Sequence, residues 1–207
     1  MRILTIFLSS INKYGVKFLF FIFLYEILNI YRFRFNDYLV INPTNKRFEP
    51  SVPTPYYCLS LIEKNISKKK YDFIDFGCGQ GRVINYLRKI QNIQKIIGIE
   101  NNSKLKSKLK KYIDNKTKIY IDDCTNNNFL NFLIKKQKGK NLILYFYHPF
   151  SDKILNTVLK KFLIKSRKEI VIIVMGEIFI YNNLKKKFKL KLKKLHNLLN
   201  IYNYKHH

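Results

Sequence analysis

The sequence has no tryptophan, seven glycines and three cysteines among 207 residues, and 13 acidic residues stand against 40 lysines and arginines. Cys58, Cys78 and Cys124 are far apart and form no C-x-x-C pair. Nor do they cluster with His148, His196, His206 or His207, which argues against a structural zinc site. Three thiols without a framework suit a reducing cytoplasm. No apolar run reaches the ~20 residues that a membrane-spanning helix needs. The nearest, VKFLFFIFLYEILNI over 16–30, is interrupted by Glu26 and flanked by Lys13, Lys17, Arg32 and Arg34. No small-residue cleavage site follows it, so it reads poorly as a signal peptide. Three readings stay open for this run: a helix packed on the domain or covering its site, a helix lying in an anionic membrane interface, or a true span.

The shortage of acids leaves a formal net charge of +27. One reading is a polyanionic partner, RNA or an anionic membrane surface. The other is compositional drift, because Lys, Asn and Ile are all abundant. Disorder from low hydrophobicity is excluded, since 47% of residues are hydrophobic and 15% aromatic.

What is present is regular from residue 71 onward. Four prolines, at 43, 50, 53 and 55, mark an extended connection, and a helix is predicted over 56–64. Short apolar strands are predicted over 71–76, 95–100, 118–121, 141–147 and 169–175. Helical spacing falls between them, over 82–90, 103–112, 129–135 and 153–164. Strands this continuously apolar, alternating with helices, predict a parallel sheet covered on both faces. Strict alternation over 188–193 and an apolar run over 198–204 predict an antiparallel hairpin on one sheet edge.

The chemistry concentrates in Asp75-Phe-Gly-Cys-Gly-Gln-Gly-Arg82, between a predicted strand and helix. Gly77, Gly79 and Gly81 let the backbone turn sharply and approach a ligand closely, and the following helix offers free N–H groups. Glu100 closes the next strand, where doubly wound nucleotide folds place a carboxylate for ribose hydroxyls. The spacing is G-x-G-x-G and not the dinucleotide G-x-G-x-x-G. Asp75 would repel a pyrophosphate and suits a ligand that carries cationic groups. An NAD-type oxidoreductase is therefore disfavoured.

These residues resemble motif I of the class I S-adenosylmethionine-dependent methyltransferases. The resemblance spans about residues 47–204. It implies a Rossmann-like sheet of order 3-2-1-4-5-7-6 with the last strand antiparallel, helices on both faces, and S-adenosylmethionine as cofactor. Residues 1–46 then form an N-terminal apolar helical extension and 47–207 the methyltransferase domain. By the same resemblance the donor site comprises Asp75, Gly77, Cys78, Gly79, Gly81, Arg82, Glu100, Asn101, Asp122, Asp123 and Tyr147. Asp123, with Asp122 as alternate, would face the adenine amino group. Arg82 could equally cap its helix or pair with a nearby acid.

Two further segments carry finer resemblances. Ser51-Val-Pro-Thr-Pro55 is similar to a V-P-T-P element of methyltransferases related to those that modify lysine in the ATP synthase c subunit. Tyr147-His-Pro-Phe150 resembles the Y-N-P-F segment of a bacterial methyltransferase group, and is similar to the N-P-P-Y-type motif of enzymes that methylate amino nitrogens. His148, Pro149 and Phe150 are thus the candidate acceptor-site residues, and His148 stands where that group has Asn. A neutral imidazole accepts a hydrogen bond or takes a proton; a packed histidine is the alternative. The acceptor ranking is a protein lysine amine first, RNA second and small molecules third. A catalytically silent, basic nucleic-acid-binding module with the same fold is kept as a rival.

Overall fold

The computed structural model describes residues 15–30, 52–147, 151–165, 168–176, 180–196 and 199–205. Its elements are α1 (Val16–Ile30), α2 (Tyr56–Asn65), β1 (Tyr71–Phe76), α3 (Arg82–Leu87), β2 (Ile93–Glu100), α4 (Lys106–Leu109), β3 (Thr117–Ile121), α5 (Asn127–Lys136), β4 (Leu142–Tyr147), α6 (Asp152–Lys165), β5 (Ile170–Met175), α7 (Asn182–Lys187), β6 (Lys191–His196) and β7 (Leu199–Tyr204).

The strands form one seven-stranded sheet in the order β3-β2-β1-β4-β5-β7-β6. β3, β2, β1, β4 and β5 run parallel. β7 enters antiparallel to β5 and pairs antiparallel with β6. The order and the reversed strand are those the family resemblance implies. Every residue of β1 and β5 is buried, because helices cover both faces, which is why these strands are apolar without alternation. One face carries Phe73, Ile143, Tyr145 and Ile173 against α2, α3 and the 103–112 segment. The other carries Ile74, Phe76, Leu144 and Ile172 against α5 and α6.

Several boundaries differ from the sequence reading, for local reasons. α3 ends at Leu87 rather than running to 90. Lys116 Nζ donates to the carbonyls of Arg88 and Ile90, both at 2.9 Å, and so satisfies groups the helix leaves open at its end. The 103–112 segment is one α-turn flanked by two tighter turns, not a continuous helix. It buries Leu105, Leu109 and Tyr112 and folds close against the glycine turn. The predicted 188–193 strand shifts to Lys191–His196. Phe188 and Leu190 pack on the second core cluster before the strand starts, and Lys189 between them turns the chain at φ 48°. β2 also starts two residues earlier than predicted, at Ile93.

Two glycines are required by close approach. A Cβ on Gly98 would lie 2.6 Å from Ile84 Cδ1, so this glycine lets α3 lie flat on β2. Gly81 has φ +85°, and a Cβ there would meet the buried Tyr112 ring at 2.6 Å. Gly81→Ala combines left-handed strain with overpacking, and is expected to cost about 2–3 kcal/mol in urea denaturation. A loss under about 0.5 kcal/mol would show that Tyr112 moves aside freely.

Candidate active site

The glycine turn wraps around the carboxyl end of β2. The N–H groups of Gly77 and Cys78 both donate to the Ile99 carbonyl at 2.9 Å. Gly77, Gly79 and Gly81 all have positive φ, of 79°, 53° and 85°, which explains why glycine stands at each. The turn then brings the Gly79 N–H to Glu100 Oε2 at 2.8 Å. Glu100 Oε1 accepts from the Asn102 N–H at 2.9 Å. Glu100 is thereby held rigidly with its side chain buried, yet a carboxylate has about four acceptor positions, so acceptor capacity remains.

Asp75 lies on the strand beside this turn, with Gly98 and Tyr145 as its neighbours across β2 and β4. It is 1% exposed, and its Oδ2 has no hydrogen-bond partner. Burial, and secondarily the charge of Glu100, hold its carboxyl well above the usual carboxylate range. A buried carboxylate without a partner is costly. A cation at this position would relieve both the desolvation and the repulsion from Glu100.

Asp122 and Asp123 follow β3. The Asp122 N–H donates to the Glu100 carbonyl at 3.0 Å, which ties this turn to the same corner of the sheet. Asp122 Oδ1 accepts from the Asp123 N–H and Asp123 Oδ1 from the Thr125 N–H, both at 2.7 Å. Both side chains are half-buried, as are Asn101 and Tyr147. Cys78 is buried within the glycine turn, and burial raises its thiol well above the ordinary range. Burial likewise pushes Cys58 and Cys124 up to about 12, so at neutral pH these are thiols and not nucleophilic thiolates. His148, Pro149 and Phe150 lie outside the described residues.

Arg82 opens α3, and its guanidinium reaches the N-terminal helix and the segment before α2. It is 4% exposed. Its Nη1 donates to Glu26 Oε1 and Oε2 at 3.2 and 3.1 Å and to the Thr54 carbonyl at 3.1 Å, and the group stacks over the Tyr56 ring at 4.7 Å. Glu26 Oε1 also accepts from the Tyr56 N–H at 2.8 Å, capping α2. The acid that interrupts the apolar N-terminal run is therefore its anchor to the domain. Thr54 contributes at a second point: its hydroxyl lies 2.7 Å from Tyr145 OH, which donates to Met175 Sδ at 3.1 Å. The V-P-T-P element thus links the first turn of α3 to β4 and β5.

Sequence reasoning missed Glu26, Tyr145 and Gly98 as parts of this site. A lone acid inside an apolar helix was a usable signal for Glu26. Tyr145 is hidden inside a wholly apolar strand, and nothing local distinguishes it.

No family model matches the sequence, and no curated protein matches it. Solved structures do match in fold. A SAM-dependent methyltransferase from Anabaena variabilis superposes with a TM-score of 0.54 at 12% identity, covering 88% of this chain and 92% of that one. The methyltransferase domain of bacterial CtHen1-C gives 0.50 at 9% identity, covering 72% of this chain and 94% of that one. Ribosomal protein L11 methylase from Lactobacillus delbrueckii subsp. bulgaricus gives 0.50 at 7% identity, covering 73% and 78%. The fold is that of the class I methyltransferases. In this strand order the switch point of the doubly wound sheet lies between β1 and β4, and the carboxyl ends of β1 and β2 lie along the edge where such sheets bind ligands. Asp75, the glycine turn, Glu100 and the 122–124 turn all meet there. Among the described residues, no three His, Cys, Asp or Glu side chains are grouped to hold a metal ion. No helix of the described residues is long and apolar enough to cross a membrane.

Proposed function

We propose that the chain is an S-adenosylmethionine-dependent methyltransferase of the reducing cytoplasm, with a protein lysine amine as its acceptor. The observation that carries the reading is the Gly79–Glu100 hydrogen bond beside the unpartnered Asp75 carboxyl. It joins a cradle of glycine backbone, an acceptor for vicinal hydroxyls and a buried carboxyl in one corner. S-adenosylmethionine matches each of these, through its ribose, its ammonium and its sulfonium. When bound, it supplies a methyl group on an electron-poor sulfur.

The chain's own residues bind and orient. Asp75 neutralises the ammonium. Glu100 takes the ribose hydroxyls with its remaining lone pairs. Asp123, or Asp122, accepts from the adenine amino group, and Gly77, Cys78, Gly79, Gly81, Asn101 and Tyr147 line the donor site. Arg82 acts one step removed, by fixing the first turn of α3 against Thr54 and Glu26. Residues 47–207 are the catalytic domain and 1–46 its extension.

His148, Pro149 and Phe150, at the end of β4, form the acceptor site, and catalysis there is chiefly positioning of the amine lone pair. The lysine acceptor rests on the V-P-T-P and Y-H-P-F resemblances, to the c-subunit lysine methyltransferases and the Y-N-P-F group. The buried contacts of Thr54 with Arg82 and Tyr145 support counting the V-P-T-P element as part of the site.

A second reading has RNA as the acceptor, or as the ligand of a silent binding module. It is favoured by the lysines of the 103–112 segment. Lys104, Lys106, Lys110 and Lys111 are exposed, and Lys108 reaches Gln80 in the glycine turn.

Calorimetry with S-adenosylhomocysteine tests the donor site. One molecule is expected to bind per chain, and Glu100→Gln, which keeps an acceptor but removes the charge, should weaken it roughly tenfold. No binding to the wild type would sink the donor assignment. Incubation with methyl-labelled donor and cell extract separates the acceptors: label in protein supports the first reading, and label in RNA supports the second.

A further inference from the structure

Among the described residues, nothing covers the apolar face of α1 turned away from the domain. Val16, Phe20, Phe23 and Ile27 recur at helical spacing along one stripe, with Leu28 beside it. Phe20 is 58% and Phe23 65% exposed. The opposite face is committed. Phe18 stacks on His196 with ring centroids 3.5 Å apart, Phe21 and Tyr25 pack on Tyr57, and Glu26 holds Arg82 and the Tyr56 N–H. Rotating the helix to hide the stripe would break the Glu26–Arg82 pair.

The charge of the sequence on either side says what the stripe fits. Residues 1–36 contain one acid, Glu26, and five basic residues, Arg2, Lys13, Lys17, Arg32 and Arg34. That acid faces inward, so no negative charge borders the apolar face from α1 itself. The strand whose last residue Phe18 stacks on is β6, and its Lys191, Lys193 and Lys194 are exposed, with Leu192 exposed between them. Aromatic and aliphatic side chains flanked in sequence by cationic ones, on a chain of net charge +27, complement an anionic bilayer surface. The packing sets the mode: one side of the helix is committed to the domain, so only the stripe can meet lipid and the helix lies along the interface.

We propose that α1 is an interfacial helix that seats the catalytic domain on an anionic bilayer. The Glu26–Arg82 link then holds the glycine turn at a fixed height over the lipid surface. This goes beyond the methyltransferase reading and does not depend on it.

The test is co-sedimentation of the full chain with phosphatidylcholine vesicles, with and without phosphatidylglycerol. Binding is expected to the phosphatidylglycerol vesicles, falling as salt is raised. The Phe20→Ser, Phe23→Ser double variant is expected to bind at least tenfold more weakly, with its thermal midpoint and S-adenosylhomocysteine affinity unchanged. A second pair, Val16→Ser with Ile27→Ser, repeats the measurement on the rest of the stripe. The proposal is overturned if the wild type ignores anionic vesicles, or if both variant pairs bind them as the wild type does. It is also overturned if light scattering shows a wild-type dimer that the variants dissociate while vesicles go unbound. Because the ligand titration is read separately, loss of vesicle binding with intact donor binding indicts this proposal alone.

Discussion

Asp75→Asn is expected to leave the unliganded protein more stable above mildly acid pH, yet to weaken S-adenosylhomocysteine binding on the order of 100-fold. Both effects follow from one buried carboxyl. Its folded pKa lies well above the ordinary value, because of burial first and Glu100 second. Between the two values the unfolded chain has already lost the proton that the folded chain keeps. The unfolded state then binds fewer protons, so wild-type stability falls as pH rises from the ordinary carboxylate range through the folded pKa. Asparagine does not titrate, so the variant should lose this downward slope. The groups facing Asp75 are Glu100, Cys78 and Tyr145. Burial raises the Cys78 thiol and the Tyr145 hydroxyl, so both stay neutral there and do not cancel the slope. Urea midpoints across pH 4–8 measure it; a variant keeping the wild-type slope would refute the account. In the wild type, ligand affinity should rise with pH over that span, since the cation binds the ionised carboxylate.

The second large effect is expected at Glu26→Ala, with a stability loss of about 3 kcal/mol. The pair it breaks is not a surface ion pair, which would be worth at most about 1 kcal/mol. The Arg82 side chain is 4% exposed and that of Glu26 21%, so the alanine variant strands a buried guanidinium and leaves the Tyr56 N–H without its acceptor. Replacing both residues with methionine should recover much of the loss, because an apolar pair carries no desolvation cost. Glu26→Met, Arg82→Met and the double variant form a cycle whose coupling energy isolates the pair. A single-variant loss below about 1 kcal/mol would mean that Thr54 and the Tyr56 ring suffice to hold Arg82. Hydrogen exchange in α1 should accelerate in Glu26→Ala, since the anchor of that helix is gone.

The fold was legible because each local signal agreed with the next. The apolar runs at 71–76 and 141–147 have strand length, the glycines fall between a strand and a helix, and Glu100 ends the following strand. The candidate corner was legible for the same reason: Asp75, Gly79 and Glu100 need only their strand positions to be brought together. What was not legible depends on contacts distant in sequence. Glu26 and Arg82 are 56 positions apart, and Thr54 and Tyr145 are 91 apart. Neither pair has a periodicity that could announce it. The misplaced strand has a different cause: Phe188 and Leu190 do alternate with lysines, but their burial comes from packing at the end of α7. Alternation alone does not say whether a residue sits in a ladder or beside one.

The sheet stops at β6, and how it stops has a consequence for the protein at high concentration. An open strand edge is a template for another chain. Here that edge presents Lys191, Lys193 and Lys194 to solvent, and its pairing slips between Lys194 and His196. An incoming copy in register would set ammonium against ammonium and meet a kinked backbone. The lysine-rich border therefore acts as a guard against fibrous self-assembly, and acetylating those three side chains would remove it.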